Sequence, residues 1–378
     1  MAKRGNNEGS IYKRKDGRWT GAVTIGGGRA SLQRKQFYGQ TRQEVARKLT
    51  EALKATKDSV PLPLDRLTVG GFARDWLESV LPSIRPKTYE SYEATVRVHV
   101  IPKLGHIRLA KLTPTDLERF YANLISNGAA PKSVRNYHAC IHAMLEKAVR
   151  QNVLVRNVAS LADLPRRIRR DLPMITAQQV QAFLQATNEH RLEALFVLAI
   201  TTGARQGELL GLRWDHVDLD EGIIDIRWAL QKVQGKVHLV EPKTSSSVRS
   251  VALTELAVAA LRRRRMQQIK DKVYVGQGWA NEMNLVFTTP LGTPLDKDNV
   301  RKRELPPLLK AGGLPTELRF HDLRHIAASL SLGNGVSITT VSQMLGHSDA
   351  ATTLRVYAHA IPGAQREAAK TLNILLAS

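Results

Sequence analysis

Two interruptions limit what this chain can build more than any other feature of its 378 residues. Pro61-Leu62-Pro63 removes two backbone donors and fixes two φ angles, so neither a helix nor a sheet continues through it. Pro165-Arg166-Arg167-Ile168-Arg169-Arg170 sets four like charges behind a proline and reads as a connector. Residue patterning differs on the two sides of each break. Three bodies with separate cores are therefore expected, at residues 1–60, 66–162 and 172–378, and the length is sufficient for them.

The first body favours strands. Ser10 to Arg14, Arg18 to Ile25 and Ser31 to Tyr38 are separated by Asp16-Gly17 and Gly26-Gly27-Gly28, which are turn chemistry. A helix should follow to about Thr56, opened by Thr41 and Glu44 at capping-box spacing. The second body reads as all-helical, with segments at about Thr68 to Val80, Pro86 to Ile101, Thr113 to Asn127 and Ala130 to Gln151; Pro86 and Pro114 sit where a first helical turn tolerates proline. In the third, helices at Glu193 to Thr202, Gln206 to Leu212 and Thr254 to Lys272 accompany strands at Gly222 to Trp228, Lys236 to Glu241 and Val248 to Leu253. The Arg262 to Arg265 run reads as a solvated face. The predicted class is multidomain α+β: a small N-terminal three-stranded β-sheet plus a helix, an all-helical middle domain, and a mainly helical C-terminal domain with a small antiparallel sheet. No internal repeat supports a solenoid.

Charge narrows the partner. Fifty-six Lys plus Arg against thirty-four Asp plus Glu give a net charge of +22, which favours a polyanion. No isolated basic amphipathic helix and no apolar run of membrane length is present, so nucleic acid is favoured over a membrane surface. Residues 1–60 alone hold fourteen basic and five acidic side chains. The candidate DNA contacts are Arg14, Arg18 and Arg34 in this module, Lys87, Thr88 and Lys132 in the helical body, and Arg166, Arg167, Arg169 and Arg170 in a strap that gains phosphate contacts on binding. The single cysteine, Cys140, lies in a helical pattern and should pack as a small apolar side chain. A reducing cytoplasm is the expected compartment.

The chemistry-bearing residues fall late in the chain. Thr202-Gly203-Ala204-Arg205-Gln206-Gly207-Glu208-Leu209 supplies one arginine, and His321-Asp322-Leu323-Arg324-His325 supplies a second. A phosphodiester under attack gathers charge on its nonbridging oxygens, and the planar fork of arginine meets such oxygens in a bidentate way without losing its charge. Tyr357 is a candidate nucleophile only if neighbouring cations or a base activate its phenol. Lys243, in a turn between two strands, can protonate a leaving oxygen. Each residue taken singly has an ordinary structural reading: a salt-bridge arginine, a turn lysine, a core-edge tyrosine. Their order along the chain gives them weight.

Together these motifs resemble the tyrosine recombinase and phage integrase family. The resemblance rests on Ala204 to Leu209, the turn at Lys243, the His-x-x-Arg box at His321 and Arg324, Leu345-Gly346-His347 and Tyr357, with Arg85-Pro86-Lys87-Thr88-Tyr89 in the helical body. It implies an arm-type DNA-binding domain at 1–60, a helical core-binding, SAM-like domain at 66–162 and a catalytic domain at 172–378. It further implies that Tyr357 forms a 3′-phosphotyrosyl link, that Arg205, Arg324 and His347 hold the phosphate, and that His321 serves proton transfer around the nucleophile. Lys243 would protonate the leaving 5′ oxygen, and Glu208 would support Arg205. No metal or other cofactor is implied. His321 and His325 could share a helix face as zinc ligands, but no third ligand is evident, and His325 reads as a buried, hydrogen-bonded structural residue. The segment from Ile361 to Ser378 either packs on its own domain or docks on a neighbouring protomer.

The expected activity is site-specific recombination by a phage or mobile-element integrase. The expected partners are double-stranded DNA at core-type and arm-type sites, a homotetramer on paired sites, and accessory bending or directionality proteins. A chromosome- or plasmid-resolving recombinase, a metal-dependent nuclease and a non-catalytic architectural DNA-binding protein are the competing readings.

Overall fold

A computed structural model of the chain describes residues 10–14, 17–25, 33–57, 67–167, 173–241 and 248–357, with the single positions 373 and 376. Lys243, Arg169, Arg170, the Pro61-Leu62-Pro63 break and nearly all of the segment after Ile361 lie outside the described residues. The chain divides into two compact units, Met1–Arg170 and Asp171–Ser378.

The first unit opens with the expected antiparallel sheet, β1 (Ser10–Lys13), β2 (Trp19–Ile25) and β3 (Gln33–Gly39), in that order. Tyr12 pairs with Thr20, and Thr20 with Tyr38. Helix α1 (Arg42–Lys57) follows. Its cap is a variant of the expected one: the Glu44 N–H donates to Thr41 Oγ1 at 3.2 Å, but the Glu44 carboxylate returns to the Gln40 N–H at 3.1 Å. The orphan donors at the helix start are satisfied either way.

The helical part of this unit contains α2 (Val69–Val80), α3 (Pro86–Thr95), α4 (Ile101–Leu104), α5 (Pro114–Ser126) and α6 (Pro131–Arg150). Proline stands in the first turn of α3, α5 and α6, where its missing N–H costs nothing. A π-turn at Val96–Val100 carries α3 directly into α4, past the expected end of the helix. The widened turn accommodates Pro102, whose ring would otherwise press on the preceding turn. Trp76, Phe72, Leu117, Tyr121, Ile141 and Leu145 form the core, with Trp76 and Tyr92 rings 5.3 Å apart. Cys140 is buried among them, as expected, and burial raises its thiol to about 12.

The second unit is built around α8 (Glu193–Thr202), which follows α7 (Ala177–Ala186). Every residue of α8 except Thr201 is buried, which is what a helix apolar on all sides requires. Then come α9 (Gln206–Leu210), β4 (Val217–Asp218), β5 (Ile223–Ile226), β6 (Ala229–Val233), β7 (Lys236–Val240), β8 (Arg249–Ala252) and α10 (Glu255–Val275). The three strands expected here belong to two sheets: one has the order β4-β5-β8, and β6-β7 is a separate hairpin inserted between β5 and β8. Ile224, Ile226 and Val251 are buried in the core.

The arginine run on α10 is exposed at Arg262, Arg263 and Arg265, as expected of a solvated face, and departs from that expectation at Arg264. Arg264 is buried and donates to the Val286 and Thr288 carbonyls and to Thr288 Oγ1, Arg263 pairs with Glu193 at 2.6 Å, and Arg265 lies over the Trp214 ring. Buried backbone oxygens that need donors decided this, and a period count cannot register them. The unit closes with α11 (Lys297–Asn299), α12 (Leu305–Ala311), α13 (Phe320–Gly333), α14 (Ile338–Leu345) and α15 (Ala350–Tyr357).

Candidate active site

Helix α8 ends at Gly203, which adopts the left-handed conformation at φ 61°. A β-carbon there would lie 2.6 Å from Leu345 Cδ2, so conformation and space both require glycine. The turn delivers Arg205 to the start of α9. Glu208, one turn further, accepts from the Arg205 N–H at 3.0 Å and from Arg205 Nη1 at 2.6 Å. The same carboxylate accepts from Nη2 of Arg249 on β8 at 2.9 Å. Burial alone would raise the Glu208 carboxyl, but Arg249 and then Arg205 outweigh it and hold the group below the usual carboxylate range.

Arg249 Nε also donates to the Met344 carbonyl at 2.7 Å, tying Glu208 to the end of α14. Helix α13 presents His321, Arg324 and His325 at spacings of three and four, which share one side of a helix. Arg324 is 3 % exposed, and donates from Nη1 to the Gly203 carbonyl at 2.8 Å and from Nη2 to the Leu345 carbonyl at 2.7 Å. Two of its five N–H donors are thus engaged, and the guanidinium plane is fixed. Burial, and then repulsion from Arg205, bring it down to about 10, so it keeps its charge at neutral pH.

After Gly346, the second left-handed helix stop, His347 Nδ1 lies 2.8 Å from Thr353 Oγ1. Desolvation, then Arg324, Arg205 and Arg249, push His347 down to about 4. His321 also falls to about 4, through desolvation, then His325 and Arg324. The His321 side chain is exposed and that of His347 half-buried.

Tyr357 ends α15, one turn beyond Thr353. Its ring is 2 % exposed and packs with Ala328, Leu332, Val341 and Leu345. Its hydroxyl lies 2.7 Å from His325 Nδ1. Burial raises the phenol to about 12 against the pull of Arg324.

Arg205, Glu208, Arg324, His347 and Tyr357 therefore converge on one cluster, with His321 a turn before His325 and its ring 5.1 Å from it. Two residues of the cluster escaped sequence reasoning. Arg249 read as an ordinary strand residue; its position shortly after the Lys243 turn was the available signal. His325 is half-buried and hydrogen-bonded, as expected of a structural residue, but its partner is the candidate nucleophile. Among the other candidates, Arg14, Arg18, Lys132, Arg166 and Arg167 are exposed, Arg14 lies 5.9 Å from the Tyr38 ring, and Lys87 pairs with Glu90 at 2.6 Å. Thr88 sits in the first turn of α3, and Arg34 lies on β3. Among the described residues no three His, Cys, Asp or Glu side chains gather as a metal shell, and no helix is long and apolar enough to cross a membrane. An open depression of about 880 Å³ between residues 215–225 and α10 contains none of the cluster.

Comparison with known proteins shows the family and the fold. The family model described as phage integrase family matches residues 173–362, and that of the phage integrase N-terminal SAM-like domain matches residues 68–125. A tyrosine recombinase XerC-like protein of Caldanaerobacter subterraneus subsp. tengcongensis is 30 % identical over 373 residues, covering 93 % of this chain and 95 % of the relative. An integrase of Streptomyces ambofaciens is also 30 % identical over 373 residues, covering 94 % of each. The fold resembles that of the Tn1549 transposon integrase in complex with a circular intermediate DNA, with TM-score 0.70, 21 % identity, and 81 % and 99 % of the two chains covered.

Proposed function

The chain belongs to the phage integrase family and is a tyrosine site-specific recombinase, and from that premise we propose that it integrates and excises a mobile element through a 3′-phosphotyrosyl intermediate. Tyr357 attacks the scissile phosphorus, and the bond energy is kept in the phosphotyrosyl link while the freed 5′-hydroxyl attacks a partner strand. Arg205 and Arg324 hold the nonbridging oxygens with His347, in an electrostatic role that preset donors fill without reorganising. Glu208 positions Arg205, His321 serves proton transfer on the tyrosine side, and Lys243 protonates the departing 5′ oxygen.

The observation that supports this reading most directly is the convergence of Tyr357, Arg324 and Arg205 from separate helix ends of one unit, with Arg324 electrostatically coupled to both of the others. Nicked suicide DNA, which loses its leaving strand after cleavage, tests it. Wild-type protein should accumulate a covalent adduct and Tyr357→Phe none; equal trapping by the variant would remove Tyr357 from the mechanism.

Residues 1–60 are proposed as an arm-type DNA-binding domain and 66–162 as the core-binding domain. DNA contacts are assigned to Arg14, Arg18, Arg34, Lys87, Thr88, Lys132, Arg166, Arg167, Arg169 and Arg170. The λ integrase has been described as a tetramer bound to a Holliday junction, and a homotetramer on paired core-type sites, aided by bending or directionality proteins, is proposed here. In an electrophoretic assay, deletion of residues 1–60 should abolish binding to one class of site and spare the other.

A further inference from the structure

We infer that Thr353 is a positioning residue for the proposed reaction: its hydroxyl donates to Nδ1 of His347, sets the imidazole with its hydrogen on Nε2, and so turns an N–H toward the scissile phosphate. The inference rests on the proposed roles of His347 and Tyr357 and adds what orients the first of them.

The main chain at His347 is fixed before its ring is. Arg324 Nη2 holds the Leu345 carbonyl at 2.7 Å, Gly346 turns the chain at φ 67°, and the His347 N–H donates to the Ser342 carbonyl at 3.0 Å. What remains open is the rotation of the imidazole. Thr353 Oγ1, 2.8 Å from Nδ1, closes it. Among the described residues nothing hydrogen-bonds Nε2, the nitrogen left for a ligand.

Thr353 is 0 % exposed, so its hydroxyl has no solvent to turn to. Thr50, Thr95, Thr201 and Thr202, on other helices, each donate to the carbonyl four residues earlier, a common habit of helical threonine. At Asp349 that carbonyl accepts from the Thr352 N–H, and the Thr353 hydroxyl is directed to His347 instead. Were it to accept from an Nδ1–H, its own buried hydrogen would find no acceptor among the described residues. It therefore donates.

Charge makes the choice of nitrogen matter. Desolvation first, then Arg324, Arg205 and Arg249, bring His347 down to about 4, and a phosphodiester carries a single negative charge into the reach of these three guanidinium groups. The imidazole is therefore uncharged and has one N–H. On Nδ1 that hydrogen would leave a lone pair facing the nonbridging oxygens; on Nε2 it becomes a donor to them. Thr353 and Tyr357 are four apart on one side of α15, and both are buried. One docking of α15 thus seats the proposed nucleophile and fixes the His347 donor.

The test uses the full chain. Thr353→Val keeps the shape and loses the hydroxyl, whereas Thr353→Ser keeps the hydroxyl and loses a methyl. With nicked suicide DNA and saturating protein, the valine variant should bind DNA as wild type does and form adduct slower by about 10- to 100-fold, the range for losing the group that orients a metal-bound imidazole. The serine variant should stay within about threefold of wild type. In a His347→Ala background, itself slow, adding Thr353→Val should change the rate by less than about threefold, because the two residues act as one unit. A packing role predicts the opposite order, serine slower than valine, and that order would overturn the inference. So would a valine variant at the wild-type rate beside a slow His347→Ala. Nitrogen-15 NMR of the DNA-free wild type, which depends on no variant folding, should find hydrogen on Nε2 of His347 at pH 7; hydrogen on Nδ1 would equally overturn it. Unimpaired adduct formation by His347→Ala is a separate signature, which removes the parent role of His347 and the inference with it.

Discussion

At the scale of single residues, the cluster stores a dependence on pH. His347 and His321 titrate near 4 in the folded chain, against about 6.5 when unfolded. Between these values the unfolded state binds more protons, so stability is full above about pH 6.5 and declines as the pH falls toward 4. Thermal melting of the DNA-free protein should therefore give a lower midpoint at pH 5 than at pH 7, and His347→Gln should reduce that difference. Arg249 carries a second expectation. Glu208 and Arg249 are 5 % and 6 % exposed, and Arg249→Met would leave a buried carboxylate short of a partner, a change that costs about 3–5 kcal/mol in comparable sites. Denaturant titration should register that loss, and adduct formation should fall with it. The arginines, the late tyrosine and the glutamate could be read from motif order alone. Arg249 and the contact of His325 with Tyr357 could not, because each depends on a partner 41 or 32 residues away and on side-chain direction, which local pattern does not carry.

At the scale of elements, two left-handed glycines decide where the helices stop and hence where the functional side chains begin. Gly203→Ala would force a β-carbon against Leu345 in a backbone conformation costing about 1–2 kcal/mol for an L-residue. The expected result is a lower melting midpoint together with slower cleavage, because the same turn places Arg205 and offers its carbonyl to Arg324. The helices that were legible had a local reason: Pro86 and Pro114 mark first turns, and α8 is apolar on every side, whereas α7 and α13 to α15 were not read as helices. The hairpin β6-β7 was half legible. Ala229–Val233 mixes long polar and apolar residues on a partly exposed ribbon and gives a weak alternation, whereas its partner strand was recognisable. The π-turns at Val96–Val100 and Val300–Glu304 escaped because each depends on how a helix absorbs a proline just ahead of it.

At the scale of the whole molecule, the charge of +22 should make DNA binding fall steeply with salt, with a logarithmic slope of about −0.9 for each phosphate neutralised. Filter binding across a salt series measures it, and a flat response would contradict the assigned phosphate contacts. One anchoring has a wider consequence. Arg324 joins the carbonyl of Gly203, 121 residues earlier, to that of Leu345, 21 residues later, and the hydroxyl of Tyr357, the proposed nucleophile, sits at the far end of the next helix. Under the proposed assignment, a nascent chain that stops short of Tyr357 holds the arginines but lacks the nucleophile. The proposed nucleophile and its cationic surroundings are thereby brought together only once both ends of that long span exist and have packed on each other.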